Sequence, residues 1–497
     1  MDRFFEQVNQ LLKTQHRVTR PLFYRFLPLL VFGFISAFAF YHSLHLFQYK
    51  DFYSWTFLFI YLGLGFIIIN SSPLRRYLGQ ADTRWVMPLI LVIAAGVRIY
   101  FIYSLPTQPI YDYATYHLSA TGVSQGNWEA LALLEGKPWG YPLLLGLIYK
   151  LLGVKVILAQ YLNVILSLVS IWLLYLLTRR LVGQSYGLLA AILYALLPSQ
   201  VFMNNVINSE ILFITLVLAG IYFSIRFMQD YSWKNLILTG LFLGLSQVVR
   251  PVGMIYLLVF IGFLTLQLFP GHLKRAIKYA LVILLSFYVM LVPFLALKSV
   301  IYKQPVLWEK GTFGIVFVMG TNTESGGYWN QQDYDYLKSL LIKYDNNAEK
   351  VNREAFKLAL WRLNRSEDFK FMVPTKIYNM WSIDTFGFEW ANIDNQGQLI
   401  INEEEPLRTY RGVSQIYYCF LLLLILSSII GFRMEEDAGY RYIMAIFLAF
   451  FVLHIFIEIQ GRYHMPLTPL FLVLLAYGWF FRDQGHSDGP NEVPDSL

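Results

Sequence analysis

Residues 279–297 read YALVILLSFYVMLVPFLAL and contain no charged side chain. A transmembrane helix needs about 20 consecutive, mostly apolar residues, and this run has that character. Eleven further apolar runs lie at about 26–47, 52–70, 85–105, 155–178, 185–203, 209–228, 235–249, 251–268, 414–432, 440–458 and 466–481. Because the runs are continuously apolar and do not alternate as barrel strands do, they predict an all-α polytopic membrane protein with about 12 transmembrane helices.

The composition of the 497-residue chain supports this prediction. Hydrophobic residues make up 57% of the chain and charged residues 14%, whereas a soluble domain has about 25% charged residues. These values exclude an ordinary water-soluble enzyme, a disordered chain and a nucleic-acid binder of the usual basic kind. The single cysteine, Cys419, excludes a disulfide within the chain.

The positions of Lys and Arg predict the orientation in the membrane. Most of these residues in the short connections fall on the side of the N-terminus, which we therefore place in the cytoplasm together with the C-terminus. The apolar segment 139–152 is too short to span and is expected to lie along the surface or to re-enter. If 139–152 were a span, Arg179 and Arg180 would lie outside the cytoplasm, against the bias of Lys and Arg toward the cytoplasmic side. The expected location is a plasma membrane.

This orientation divides the chain into five parts. They are a cytoplasmic amphipathic N-terminus with two extra transmembrane helices (1–84), a membrane core (85–297) whose first outer loop is 106–154, an extracytoplasmic loop domain (298–413), C-terminal transmembrane helices (414–482) and a disordered cytoplasmic tail (483–497).

Polar and ionisable residues from distant parts of the chain fall at the predicted outer face. They are Asp112, His117, Lys137, Asn208, Glu210, Arg250, Arg462 and His464. Ionisable groups near the hydrocarbon region are costly and are usually functional, so the set predicts an outward-opening polar cavity.

The residue types in this set suggest the chemistry. Asp112 and Glu210 could supply a general base, a metal ligand, or both. The basic side chains could neutralise a phosphate that gains charge as it leaves. A sugar linked to a polyprenyl phosphate carries such a group at the membrane surface, with its tail in the lipid.

The order of several short motifs resembles a known family. The motifs are PIYDYATYH (109–117), GKPWGYPLLLGLIYKLLG (136–153), LLPSQVFMNNVINSEILF (196–213), LTGLFLGLSQVVRPVG (238–253), VMGTNTESGGYW (318–329) and GRYHMPLTPLFLVLLAYG (461–478). Together they resemble the GT-C membrane glycosyltransferases, in particular the bacterial branch of the protein O-mannosyltransferase and aminoarabinose-transferase group. The resemblance covers about 85–482 and implies a GT-C-like helical bundle, preceded here by two additional spans.

The resemblance also implies roles for individual residues. Asp112 matches the family's proposed catalytic base, and Lys137 matches a lysine that meets the lipid phosphate. We expect Arg250, Arg462 and His464 to join Lys137 at that phosphate. Glu210, Asn208 and His117 are expected to contact the substrate or a metal. The cofactor is unknown, and a divalent metal ion, if used, would be held by Asp112 and Glu210.

The predicted function is an inverting glycosyltransferase that moves a hexose or pentose from a polyprenyl-phosphate donor, undecaprenyl phosphate in a bacterium. The acceptor is a hydroxyl group of an envelope glycan, a lipid or a protein, and no nucleic acid takes part. The alternatives are a secondary transporter or lipid-linked-sugar flippase, and an oligosaccharide ligase. A transporter favours inverted repeats, and the two halves of this sequence are unlike.

Overall fold

The computed structural model describes residues 22–47, 71–134, 137–268, 271–307, 313–345, 347–365, 368–431 and 437–487, with isolated positions between 56 and 65. Its main helices are α1 (Leu27–Phe47), α2 (Ser72–Gln80), α3 (Thr83–Ser104), α4 (Tyr111–Ser124), α5 (Gly140–Leu152), α6 (Val156–Val182), α7 (Gln184–Ala195), α8 (Pro198–Phe202), α9 (Glu210–Asp230), α10 (Trp233–Val249), α11 (Gly253–Leu268), α12 (Leu273–Ile301), α13 (Phe313–Gly320), α14 (Gln331–Lys343), α15 (Ala348–Arg365), α16 (Asp368–Trp381), α17 (Phe386–Ala391), α18 (Glu404–Gly431), α19 (Ala438–Phe456) and α20 (Thr468–Ser487). Within these residues one isolated antiparallel bridge joins Ile393 to Leu399, and no strand forms. The predicted all-α class is confirmed.

Eight helices in the described part are long and apolar enough to cross a membrane. A ninth span results if Gln184–Ala195 and Pro198–Asn205, which are bent by 58°, form one broken helix. Helices α10 and α11 are apolar but have only 17 and 16 residues. The predicted span 52–70 lies largely outside the described residues. The chain is therefore a multi-pass membrane protein. The predicted number of about 12 transmembrane helices stays a prediction.

The sequence predicts a helix break where the apolar runs 235–249 and 251–268 meet at Arg250-Pro251, and the junction between α10 and α11 confirms it. The amide of Arg250 still donates to the carbonyl of Ser246 at 2.9 Å, which closes the last turn of α10. Pro251 has no N–H and cannot continue this pattern, so the chain turns and α11 begins at Gly253. Arg250 is thereby placed at the end of a helix rather than within one.

Helix α5 is short, as predicted for 139–152, and packs closely against its neighbours. A Cβ at Gly146 would lie 2.7 Å from the side chain of Val123 in α4, and one at Gly140 would lie 2.5 Å from the carbonyl oxygen of Val248. Both positions need glycine because the backbones approach so closely. This packing holds Lys137, just before α5, beside the start of α4.

The segment between α12 and α18 has a hydrophobic core of its own, formed by α13, α14 and α15 around residues such as Phe317, Leu337 and Ala355. The turn after α13 is the GTNTESGGYW motif. It is fixed to the membrane bundle by Lys376, whose ammonium donates to the carbonyls of Gly320, Ile455 and Ile457 at 2.7–2.8 Å. The last of these contacts also fixes the chain just before Arg462.

The first and last helices pack into the bundle. In α1, the Nδ1 of His42 lies 2.7 Å from the hydroxyl of Tyr378, and the hydroxyl of Ser43 lies 3.1 Å from the sulfur of Cys419. Helix α20 continues to Ser487, and Asp483 forms an ion pair with Arg75. This corrects the predicted start of the disordered tail at 483, and residues 488–497 lie outside the described residues.

Candidate active site

Five charged side chains form a continuous chain of alternating sign. Lys137 Nζ lies 2.6 Å from Asp112 Oδ1, and Arg462 Nη2 lies 3.2 Å from Asp112 Oδ2. The same guanidinium approaches Glu210 Oε1 at 3.3 Å, and Glu210 Oε1 lies 2.7 Å from Arg250 Nη1. Residues predicted from four separate regions are thus brought together. Three cations and two carboxylates leave one positive charge in excess, which suits an anionic ligand.

Both carboxylates lie in the first turn of a helix, where the helix dipole favours negative charge. Asp112 is in the first turn of α4 and follows Tyr111, whose φ of 47° is in the left-handed region. A non-glycine residue there is strained, and such strain is often found at functional sites. This left-handed residue begins α4 and places Asp112 in its first turn.

Glu210 begins α9, and Asn208 organises the turn before it. The Asn208 side chain accepts a hydrogen bond from the amide of Ile211 at 3.2 Å and donates to the carbonyls of Met203 and Val206 at 2.7 and 2.8 Å. Its hydrogen-bonding groups are therefore used by the backbone, and the side chain is fully buried. Asn208 positions Glu210 and does not reach toward a substrate.

Arg462 lies at the centre of the cluster and is largely buried. It donates to the hydroxyl of Tyr113 at 2.5 Å, and its guanidinium carbon lies 5.3 Å from the ring centre of Tyr113 and 5.5 Å from that of Trp390. Aromatic rings of this kind attract a guanidinium over their faces. Arg462 is therefore held in one orientation, with its charge between Asp112 and Glu210.

Arg250 uses the helix break to reach Glu210. Besides that ion pair it donates to the hydroxyl of Ser209 at 3.2 Å, and its guanidinium lies 5.8 Å from the ring centre of Tyr463. Arg250 is therefore held at the end of α10 by Glu210 and Ser209.

The electrostatics favour an ionised Asp112. Burial raises the pKa of its carboxyl, but Lys137 and Arg462 together outweigh this effect and hold the pKa below its ordinary value. Nearby, burial raises the pKa of Glu458, whose carboxyl accepts a hydrogen bond from Gln460 at 3.0 Å. The pKa values of Asp112 and Glu458 shift in opposite directions because only Asp112 contacts cations directly. Asp112 can thus accept a proton at neutral pH, whereas Glu458 is biased toward its neutral form.

The structure does not bring the two predicted histidines into the cluster. His464 Nε2 lies 3.1 Å from Asp384 Oδ1 and its Nδ1 lies 2.5 Å from the carbonyl of Met380, and both side chains of the His464–Asp384 pair are fully buried. His117 Nδ1 lies 2.9 Å from the hydroxyl of Tyr149. These positions do not support the predicted contact of His464 with a phosphate or of His117 with a substrate or metal.

Two residues of the site were missed by the sequence analysis. Tyr113 and Trp390 flank Arg462, and the ring centres of these two residues lie 5.0 Å apart. Tyr113 is adjacent to Asp112 and could have been found from that position. Trp390 is in α17, and no pattern in the sequence connects it with Arg462.

The arrangement of Asp112 and Glu210 does not form a binding site for a divalent metal ion. The described residues contain no group of three or more His, Cys, Asp or Glu side chains placed to hold one. Moreover, the guanidinium of Arg462 lies between Asp112 and Glu210, where a bridging cation would have to be. We derive no step through a metal.

Comparison with known proteins supports the resemblance inferred from the motifs. The family model described as dolichyl-phosphate-mannose-protein mannosyltransferase matches residues 136–296. The matched region includes Lys137, Glu210 and Arg250, but not Asp112 or Arg462. A search of curated proteins finds none that matches.

Two types of solved structure are similar to the chain. One is the archaeal oligosaccharyltransferase AglB from Archaeoglobus fulgidus with an inhibitory peptide and a dolichol-phosphate, with 11% identity, a TM-score of 0.46 and coverage of 83% of this chain and 53% of that chain. The other is ArnT from Cupriavidus metallidurans bound to undecaprenyl phosphate, with 14% identity, a TM-score of 0.40 and coverage of 82% and 80%. This chain spans about half the length of AglB.

Proposed function

We propose that the protein is an inverting glycosyltransferase that moves a sugar from a polyprenyl-phosphate donor to a hydroxyl acceptor at the outer membrane face. The observation that carries the proposal is the alternating charged chain, which joins an accessible carboxylate to an excess of cations. The family match over 136–296 favours this function over a secondary transporter or flippase.

We assign the donor phosphate to Lys137 and Arg250, the two ends of the charged chain. The Lys137 side chain is 38% exposed and that of Arg250 19%, so both can meet a ligand. Arg462 is only 7% exposed and already contacts both carboxylates. Its role is therefore to orient Asp112 rather than to bind phosphate, which revises the role predicted from the sequence.

Binding of the phosphate prepares Asp112 for catalysis. A phosphate oxygen competes with Asp112 for the ammonium of Lys137, which frees one carboxylate oxygen. That oxygen accepts the proton of the acceptor hydroxyl as the hydroxyl oxygen attacks the anomeric carbon. Positioned acid–base groups typically contribute about 10²–10⁴-fold to the rate.

The bond between the anomeric carbon and the phosphate oxygen breaks on the opposite face of the sugar, which inverts its configuration. The polyprenyl phosphate leaves with the bonding electron pair, and Lys137 and Arg250 stabilise its charge. The transferred sugar is a hexose or a pentose.

The proposal is tested with purified protein in detergent and radiolabelled polyprenyl-phosphate sugars. Transfer is compared between the wild type, Asp112→Asn and the control Asp335→Asn, which changes an exposed carboxylate on α14. We expect the wild type and the control to transfer sugar and Asp112→Asn to lose transfer. Equal transfer by Asp112→Asn would remove this residue from the mechanism. No transfer by the wild type, together with substrate-driven flux in liposomes, would support a transporter.

A further inference from the structure

A cavity of about 570 Å³ adjoins the charged cluster. Arg462 and Trp390 form part of its wall, whereas Asp112, Lys137 and Arg250 do not line it. Its volume lies within the range of about 300–1,000 Å³ that is common for small-molecule sites. Because the phosphate-binding cations lie outside it, the cavity is available for the other reactant.

The lining of the cavity combines flat aromatic rings with planar polar groups. The rings belong to Tyr328, Trp329, Phe386 and Trp390. Such rings offer apolar faces, and Tyr and Trp also carry a polar edge. A pyranose has the matching character, since its ring C–H groups form apolar faces and its hydroxyls project around the edge.

The charged groups of the lining are paired within the protein, since Arg462 contacts Asp112 and Glu210. Glu389 and Arg411 face each other, with Arg411 Nε 3.5 Å from Glu389 Oε1, and the same carboxylate oxygen accepts from the hydroxyl of Thr385 at 2.9 Å. Charged groups that already have partners within the protein suit neutral hydroxyl groups better than a charged peptide or a lipid tail.

Helix α1, which precedes the region of family resemblance, completes the wall of the cavity with His42 and Leu46. The hydrogen bond between His42 and the hydroxyl of Tyr378 fixes the imidazole. Helix α1 therefore forms part of the cavity wall.

We propose that this cavity binds a pyranose unit of a glycan acceptor and that α1 helps to select it. The inference rests on the proposed function and narrows the acceptor from glycan, lipid or protein to glycan. The acceptor hydroxyl then approaches Asp112 from the side of Arg462 and Trp390.

The test fills the cavity without changing the charged cluster. Leu46→Trp places a large ring into the cavity, and Leu30→Trp places the same ring on the exposed face of the same helix as a matched control. The full chain is prepared in a detergent that contains no sugar, and its binding to an array of pyranose-containing envelope glycans is measured. We expect the wild type and Leu30→Trp to bind, and Leu46→Trp to bind at least about tenfold more weakly.

A second measurement separates this inference from the proposed function. Undecaprenyl phosphate should raise the thermal unfolding midpoint of the wild type and of both variants equally, because it does not occupy the cavity. No such rise in the wild type would count against the proposed function. Wild-type-like glycan binding by Leu46→Trp, no glycan binding by the wild type, or preferential binding of acceptor peptides would each overturn the glycan cavity.

Discussion

The charged cluster and the segment formed by α13, α14 and α15 each contain a carboxylate paired with arginine. The two carboxylates, Asp112 and Asp333, differ in what surrounds them. Asp333, in α14, is 1% exposed and accepts hydrogen bonds from Arg362 through two nitrogens, and from Asn322 and Asn330. Asp112 is 43% exposed and has two cationic partners, Lys137 and Arg462.

A carboxylate offers about four acceptor positions. Asp333 accepts four hydrogen bonds within the protein, three at Oδ2 and one at Oδ1. Its network fixes the turn of the GTNTESGGYW motif against α14 and α15. Asp112 has unused acceptor positions that face solvent, and one of its partners, Lys137, is itself accessible. An acid–base pair with spare capacity can exchange partners with a substrate, whereas a saturated pair can only hold the fold together.

Exchanging Asp112 for asparagine should give the largest effect on activity. Asn has nearly the same shape but cannot accept a proton, so we expect the transfer rate to fall by about 10²–10⁴-fold. Thermal unfolding should change little, because the site is partly exposed. A variant that lost stability in proportion to its activity would show that Asp112 resembles Asp333 instead.

The same exchange at Asp333 should lower the stability of the protein and leave its activity nearly unchanged. Asp333→Asn leaves the guanidinium of Arg362 without a carboxylate, and breaking a buried pair in this way costs about 3–5 kcal/mol. We expect a lower thermal unfolding midpoint, with the transfer rate per folded molecule close to that of the wild type. A selective loss of transfer with unchanged stability would place Asp333 in the active site.

The features that could be predicted from the sequence are those that depend on a local pattern of residues. Continuous apolar runs predicted the membrane helices, and Pro251 predicted the break that exposes Arg250. The common depth of Asp112 and Glu210 predicted that they would lie in one polar cluster, where Arg462 joins them. These signals are local, or follow from the membrane's geometry, and need no knowledge of how helices pack.

Features that depend on packing were missed. Arg462 and Tyr113 are 349 residues apart, and only the folded bundle brings their side chains together. His464 was expected beside Arg462 because it is two residues away. In a 3₁₀ turn of about three residues per turn, however, such side chains point in different directions. His464 therefore faces Asp384 in the core.

A smaller effect is expected in the pH dependence when Lys137 is changed. In the wild type the pKa of Asp112 lies below its ordinary value of 3.8, so the carboxylate is ionised and transfer should not decline through this group as the pH falls from about 7 to about 5. Lys137→Met removes one of the two cations that offset burial, so the pKa rises and transfer declines at a higher pH.

The measurement is the pH profile of kcat/KM for the wild type, Lys137→Met and the control Lys155→Met, which changes an exposed lysine near the same loop. The position of the acid limb is compared rather than the rate itself, because Lys137 also binds the phosphate. An unchanged acid limb in Lys137→Met would show that Asp112 is not the titrating base.

The smallest expected effect is that of a chelator on transfer. The comparison with Asp333 shows that arginine can balance a buried carboxylate without a metal. Arg462 contributes in this way at Asp112, together with Lys137, and at Glu210, together with Arg250. An added dication would have to displace this guanidinium from Tyr113 and Trp390, which hold it in place. We therefore expect the transfer rate to be the same with and without EDTA. Loss of transfer in EDTA that Mg²⁺ or Mn²⁺ restores would mean that Arg462 moves aside for a metal.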